Sequence, residues 1–169
     1  DALRGLDVLI HDSLNTPAER PQQLYLTGDQ IYADDLPSRL LEMLSPIAHD
    51  VVGADEKVGD AFCTLDNYPP DDLTNPPLEV KDVPRVLVTR GRRLTVQQFA
   101  GFTTTDSNHL MSYGEYVAMY LAVWNPRIWF VPAQGPLTPR LLLARAGVPA
   151  VARALANVAT YMIFDDHDV

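Results

Sequence analysis

Two short apolar runs in this chain each empty into acidic residues. QQLYLT, residues 22–27, is followed by Gly28-Asp29 and then by Gln30-Ile31-Tyr32-Ala33-Asp34-Asp35. TYMIF, residues 160–164, is followed by Asp165-Asp166-His167-Asp168. Runs of this length, rich in aromatic and β-branched residues, read as strands. A strand that ends in Gly-Asp puts its carboxylate at the carboxyl edge of a sheet, where open α/β folds place their ligands. The expectation is therefore an α/β chain in which strands at 23–27 and 159–164 lie side by side and parallel, with Asp29 and Asp166 at one edge.

The stretches before and between these runs carry helical spacing. Ala2, Leu3, Leu6, Leu9, Ile10 and Leu14 fit one face of a first helix. Leu36, Leu40, Leu41, Leu44 and Ile47 fit a second, with Pro37 suited to its first turn. Ser112 and Glu115 have the spacing of a capping box ahead of YVAMYLAVW. The spacing predicts a helix over 113–124 that buries Tyr116, Met119, Tyr120 and Val123 and stops at Asn125-Pro126. Thr138-Pro139 opens a further helix, which Gly147 and Pro149 are expected to break or kink before AVARALANV resumes it. Residues 50–84, dense in proline and aspartate, read as an irregular, exposed excursion. RVLVT and TVQQFAGF read as a strand and a short helix. Residues 94–158 as a whole read as a helical insertion within a single domain spanning 1–169.

Composition narrows the function classes. With 169 residues, 47% of them hydrophobic, the chain fits one domain and can bury a core without disulfides. Cys63 is the single cysteine, so there is no internal disulfide and no Cys-based zinc spacing. The net charge of -9 repels polyanions and argues against nucleic-acid binding. No apolar run reaches the roughly 18 residues of a membrane span. No signal peptide is visible, and the chain begins at Asp1 without Met, which leaves a leader or an upstream domain open. A cytoplasmic location is favoured over a secreted or periplasmic one.

The chemistry sits at the two strand ends. Asp29 offers a hard oxygen ligand, and Tyr32, three residues on, can turn its phenol to the same spot. Carboxylates suit calcium, magnesium and manganese, while a phenolate suits ferric or similarly Lewis-acidic ions. Asp34 and Asp35 add negative charge nearby. Asp165 and Asp166 are metal-ligand candidates. His167 can ligate a metal, orient a phosphate oxygen or protonate a leaving group. If the strands are neighbours, their carboxylates form a two-metal site in which one ion generates a hydroxide nucleophile and both stabilise a phosphoryl group. Other reactive residues read as structural. His11 and His49 lie near helix ends where a cation suits the dipole. His109 packs in a loop, Cys63 is buried or incidental, and the Tyr116–Tyr120 stripe is core. Arg90, Arg92 and Arg93 form the strongest basic cluster and read as an exposed turn rather than a phosphate contact.

LTGDQIYADD and MIFDDHDV resemble the metal-binding motifs of the PhoD-like metallophosphatases, the alkaline phosphatase D group of the calcineurin-like metallophosphoesterases. HLMSYGEYVAMYLAVW is similar to a helical segment of bacterial members. The resemblance implies a four-layered α/β sandwich with two metal ions at the strand ends, drawn from Fe, Ca, Mn, Mg or Zn. It implies that Asp29 is a ligand that often bridges the two ions and that Tyr32 is the tyrosine ligand of the GDxxY form. Asp166 matches the position of Asn in the commoner GNHD/E motif, and His167 matches its His, which contacts the substrate phosphate. The family's first motif would lie before residue 1 and its later His motifs beyond residue 169. The expectation is thus a fragment of a phosphatase or phosphodiesterase that hydrolyses small phosphate mono- or diesters by metal-activated hydroxide. The chain alone is expected to be inactive, and oligomers are left open. The competing reading is a non-catalytic helical interaction module with at most weak cation binding, since Asp29, Tyr32 and Asp166 supply fewer oxygens than calcium takes.

Overall fold

A computed structural model of the chain describes residues 2–34, 36–54, 56–58, 61–62, 109–130 and 136–168. Asp35, Cys63, the arginines at 90, 92 and 93, and the expected RVLVT strand and TVQQFAGF helix lie outside the described residues. The described residues fall into two compact units. One holds the residues up to Ile31, those from Tyr120 to Phe130 and those from Pro136 on. The other holds the described residues between Tyr32 and Met119.

In the first unit, helix α1 (Ala2–Asp12) and strand β1 (Gln23–Leu26) come from the start of the chain. The last turn of helix α3 (Tyr113–Trp124) follows, then a 3-10 turn at Pro126–Phe130. Helix α4 (Pro139–Asn157), strand β4 (Ala159–Met162) and a 3-10 turn at Asp166–Asp168 complete it. β1 and β4 pair in parallel, with Gln23 opposite Ala159 and Leu26 opposite Met162. The ladder runs one step further, where the Ile163 amide donates to the Leu26 carbonyl at 3.1 Å. This is the pairing that the two apolar runs call for.

One face of the pair rests on α1 and α4. Ile10, Ala154 and Val158 form a buried cluster, and Leu6 and Leu24 pack against it. Asp7 and Arg153 join α1 to α4 through two hydrogen bonds, of 3.2 and 2.7 Å. That pair is exposed and adds little to stability. The other face departs from expectation. Tyr25, Tyr161 and Ile163 are exposed there, and the Tyr25 and Tyr161 rings stack on each other at 5.2 Å; Met162 and Phe164, which alternate with them, are exposed as well. The strands read as buried from their composition. Among the described residues, however, the sheet has only these two strands, and the helices cover one side of it.

α4 is one continuous helix rather than two. Thr138 caps it, its hydroxyl accepting from the Leu141 amide at 3.3 Å, and Pro139 occupies the first turn. Pro149 sits inside it, and Gly147 is buried there with Val148, Val151 and Ala154. Burial of this face offsets the hydrogen bond that an interior proline forfeits. α1 likewise ends at Asp12, so Leu14 falls beyond the helix and stays exposed, as does Leu9.

In the second unit, helix α2 spans Ser38–Val52 and continues through Pro46, five residues beyond the expected apolar stripe. Pro37 stands just before its first turn, and its carbonyl accepts from the Leu40 and Leu41 amides. Gly53 ends the helix with φ 75°, a left-handed conformation that costs glycine little. Leu40, Leu41, Met43, Leu44 and Ile47 are buried. The expected irregular excursion therefore begins with regular structure: the end of α2, then strands β2 (Lys57–Val58) and β3 (Ala61–Phe62), paired antiparallel.

The start of α3 carries the expected capping box. The Ser112 hydroxyl accepts from the Glu115 amide at 3.2 Å. The Glu115 carboxylate accepts from the Met111 and Ser112 amides at 2.8 and 3.3 Å. The buried positions of α3 are Gly114, Glu115, Ala118 and Ala122, whereas Tyr116, Met119, Tyr120 and Val123 are only half-buried. The small side chains allow close packing. A Cβ on Gly114 would stand 2.8 Å from the Ala48 carbonyl of α2. The Gly114 amide donates to Glu56 at 2.7 Å. His109 is buried in the preceding loop, with Nδ1 against the Leu110 carbonyl, in keeping with a packing role.

Removing the cap should show in stability. Ser112→Ala is expected to cost about 1 kcal/mol, a melting temperature lower by roughly 2–4 °C for a chain of this size. Glu115→Ala should cost more, because two amides lose their acceptor. Thermal melts of both variants that overlay the parent would show that the box does not hold this helix start.

Candidate metal centre

The chain leaves β1 through backbone conformations that few residues adopt. Gly28 has φ 125° and Asp29 has φ 55°. A left-handed Asp is uncommon but tolerated, because its short polar side chain can bond locally. Gly28 serves a second purpose. A Cβ there would lie 2.5 Å from the Cβ of Asp165 and 3.0 Å from its carboxylate oxygen. The absence of a side chain at 28 is what lets the two loops touch.

The result is a convergence of ligand atoms. One atom each from Asp29, Asp166 and His167 lies within 4.8 Å of the others. Both carboxylates are exposed and the imidazole is half-buried. Asp29 and Asp166 thus stand at the same edge, as the parallel strands require. Two carboxylate oxygens and an imidazole nitrogen are a donor set that suits zinc, manganese or iron, with further ligands needed to complete a shell. The imidazole lies close enough to the two carboxylates to share an ion with them.

The remaining expected ligands are placed differently. Asp165 stands apart from the convergence; its carboxylate accepts from the Asp166 amide at 2.9 Å and packs over Gly28. It shapes the turn that presents Asp166. Tyr32 is 54% exposed and opens the second unit.

A residue with no assigned role in the sequence reading organises the turn. Asp168 is 1% exposed. It accepts from the Ile31 amide at 3.1 Å, from the Tyr120 hydroxyl at 3.0 Å and from the Asp165 amide at 3.1 Å. Burial works against its charge, yet these hydrogen bonds hold its carboxyl below the usual range. The Tyr120 phenol is pushed well up, by burial and then by its bond to Asp168, so it donates and stays protonated. Its ring also meets Trp124 and Phe164. Nothing in the run DDHD marks its last aspartate as different from the others, because its partners at 31 and 120 are remote in sequence. Beside it, the Gln30 side-chain nitrogen is buried with no partner among the described residues.

Compared with protein-family models, curated proteins and solved structures, the chain matches none. Among the described residues, no helix is long and apolar enough to cross a membrane.

The tight approach at Gly28 makes a direct test of loop contact. Gly28→Ala combines a strained φ with overlap against Asp165 and is expected to cost about 1–3 kcal/mol. It should also spread the two loops and, if the convergence holds a divalent cation, weaken that binding. A melting temperature and a cation affinity equal to those of the parent would show that the loops are not in contact.

Proposed function

We propose that the chain contributes ligands to the metal centre of a phosphoesterase of the PhoD-like type. In this reading β1 and β4 are two strands of one sheet of a four-layered α/β sandwich. The observation that carries the proposal is the convergence of Asp29, Asp166 and His167 at the carboxyl ends of two parallel strands. The motif resemblance in GDQIY and DDHD gives it its chemical class.

Asp29 and Asp166 concentrate negative charge at an exposed edge, which attracts and holds cations. When bound, the ions supply Lewis acidity toward a phosphoryl oxygen and toward water. His167 orients a phosphate oxygen, and its imidazole can deliver a proton to the departing alkoxide. Tyr32 would add a phenolic ligand in this class. The acidic chain, at -9, favours a small phosphate mono- or diester over a polyanion.

The test pairs metal content with hydrolysis of a chromogenic phosphodiester, using the product of the complete open reading frame. Asp29→Asn and Asp166→Ala are expected to lose metal and to slow turnover by several orders of magnitude. His167→Ala is expected to keep most of the metal and to lose rate; loss of the metal as well would make His167 a ligand instead. Full activity in Asp29→Asn would overturn the assignment. Cation uptake with no turnover of any phosphate ester would favour the non-catalytic module, a reading to which the exposure of both carboxylates lends weight.

A further inference from the structure

We infer that Asp168 is the positioning residue of this centre, a buried carboxylate that locks the Asp29 loop to the turn bearing Asp166 and His167. The inference rests on the metal-centre reading above. The strand ladder ends where the Ile163 amide meets the Leu26 carbonyl. The proposed ligands all lie past that point. Beyond it, one oxygen of Asp168 takes the amide of Ile31, two residues after Asp29, together with the Tyr120 hydroxyl. Its other oxygen takes the amide of Asp165, next to Asp166. Its own amide closes the turn on the Asp165 carbonyl at 3.0 Å. One side chain therefore spans both ligand-bearing loops and braces them against α3.

Asp168 positions rather than ligates in this reading: it is buried, both of its oxygens accept hydrogen bonds, and it lies outside the convergence of Asp29, Asp166 and His167. A carboxylate this deeply buried persists only when its acceptor positions are filled, so the geometry that satisfies it is strongly specified. Groups of this kind orient ligands, and their loss typically costs about 10- to 100-fold in metal affinity. Asparagine in its place keeps the shape but sets an N–H against a backbone N–H on one side, whichever way the amide turns.

The experiment is a titration of the complete protein with Mn2+ alone, followed by electron paramagnetic resonance, alongside melting curves of the metal-free forms. Asp168→Asn is expected to weaken Mn2+ binding about 10- to 100-fold and to alter the zero-field splitting of the bound ion. Tyr120→Phe removes one brace and leaves the carboxylate in place. It should weaken binding to a smaller degree and change the same spectral signature while its metal-free melting curve stays close to the parent. Asp29→Asn serves as the control for the centre itself and should abolish binding. If Asp29→Asn loses the ion while Asp168→Asn and Tyr120→Phe match the parent in affinity and spectrum, the positioning role is overturned and the centre stands. If the parent takes up no Mn2+, or Asp29→Asn keeps it, the centre falls and the positioning role falls with it. Should Asp168→Asn fail to fold, the affinity and spectrum of Tyr120→Phe decide the matter.

Discussion

The parallel pairing of β1 with β4 is the constraint on which the candidate centre depends. Side chains alternate along a strand, so a slip of one residue would turn Leu24 away from Ile10, Ala154 and Val158 and bring Tyr25 inward. The observed register, with Leu24 opposite Thr160 and Tyr25 opposite Tyr161, also brings the two strand ends level. Only then do Gly28 and Asp165 meet and the ligand atoms of Asp29, Asp166 and His167 converge. Packing on one face and chemistry at one edge are thus set by the same choice of register.

Much of this was legible in the residues because its causes are local. The capping box at Ser112 and Glu115, the Thr138-Pro139 helix start and the stop at Asn125-Pro126 each involve partners within a few positions. The strand ends were legible because an abrupt change from apolar to acidic residues marks where a strand leaves its sheet. What escaped depends on neighbours distant in sequence. The exposed face of the sheet, with Tyr25, Tyr161 and Ile163, is set by what covers it and not by its composition. Pro46 and Pro149 remain inside helices because the buried faces around them outweigh one lost hydrogen bond each. On α3, alanine and glycine take buried positions and the large Tyr/Met stripe is only half-buried; at Gly114 the close approach of the Ala48 carbonyl leaves no room for a larger residue.

The candidate centre divides in the same way. Asp29 and Asp166 follow from the strands that deliver them, and His167 from its place between two aspartates. Asp165, a ligand candidate by composition, accepts from its neighbour's amide and lies outside the convergence of Asp29, Asp166 and His167. Asp168 looks like one more surface carboxylate, yet it is buried and draws donors from residues 31, 120 and 165. The four residues of DDHD therefore divide their work. Asp166 and His167 bring their ligand atoms to the convergence with Asp29, while Asp165 and Asp168 accept hydrogen bonds from the backbone that carries them.

The strand pair also has a kinetic meaning. Gln23 meets Ala159, so closing the sheet means closing a loop that contains most of the chain. The entropy of that closure must be met before any contact between the strands returns energy. Helices such as α2 and α4 can form from nearby residues, but the convergence of Asp29 with Asp166 and His167 cannot precede the meeting of these two distant segments. The convergence of these three side chains therefore reports that the two segments have found each other.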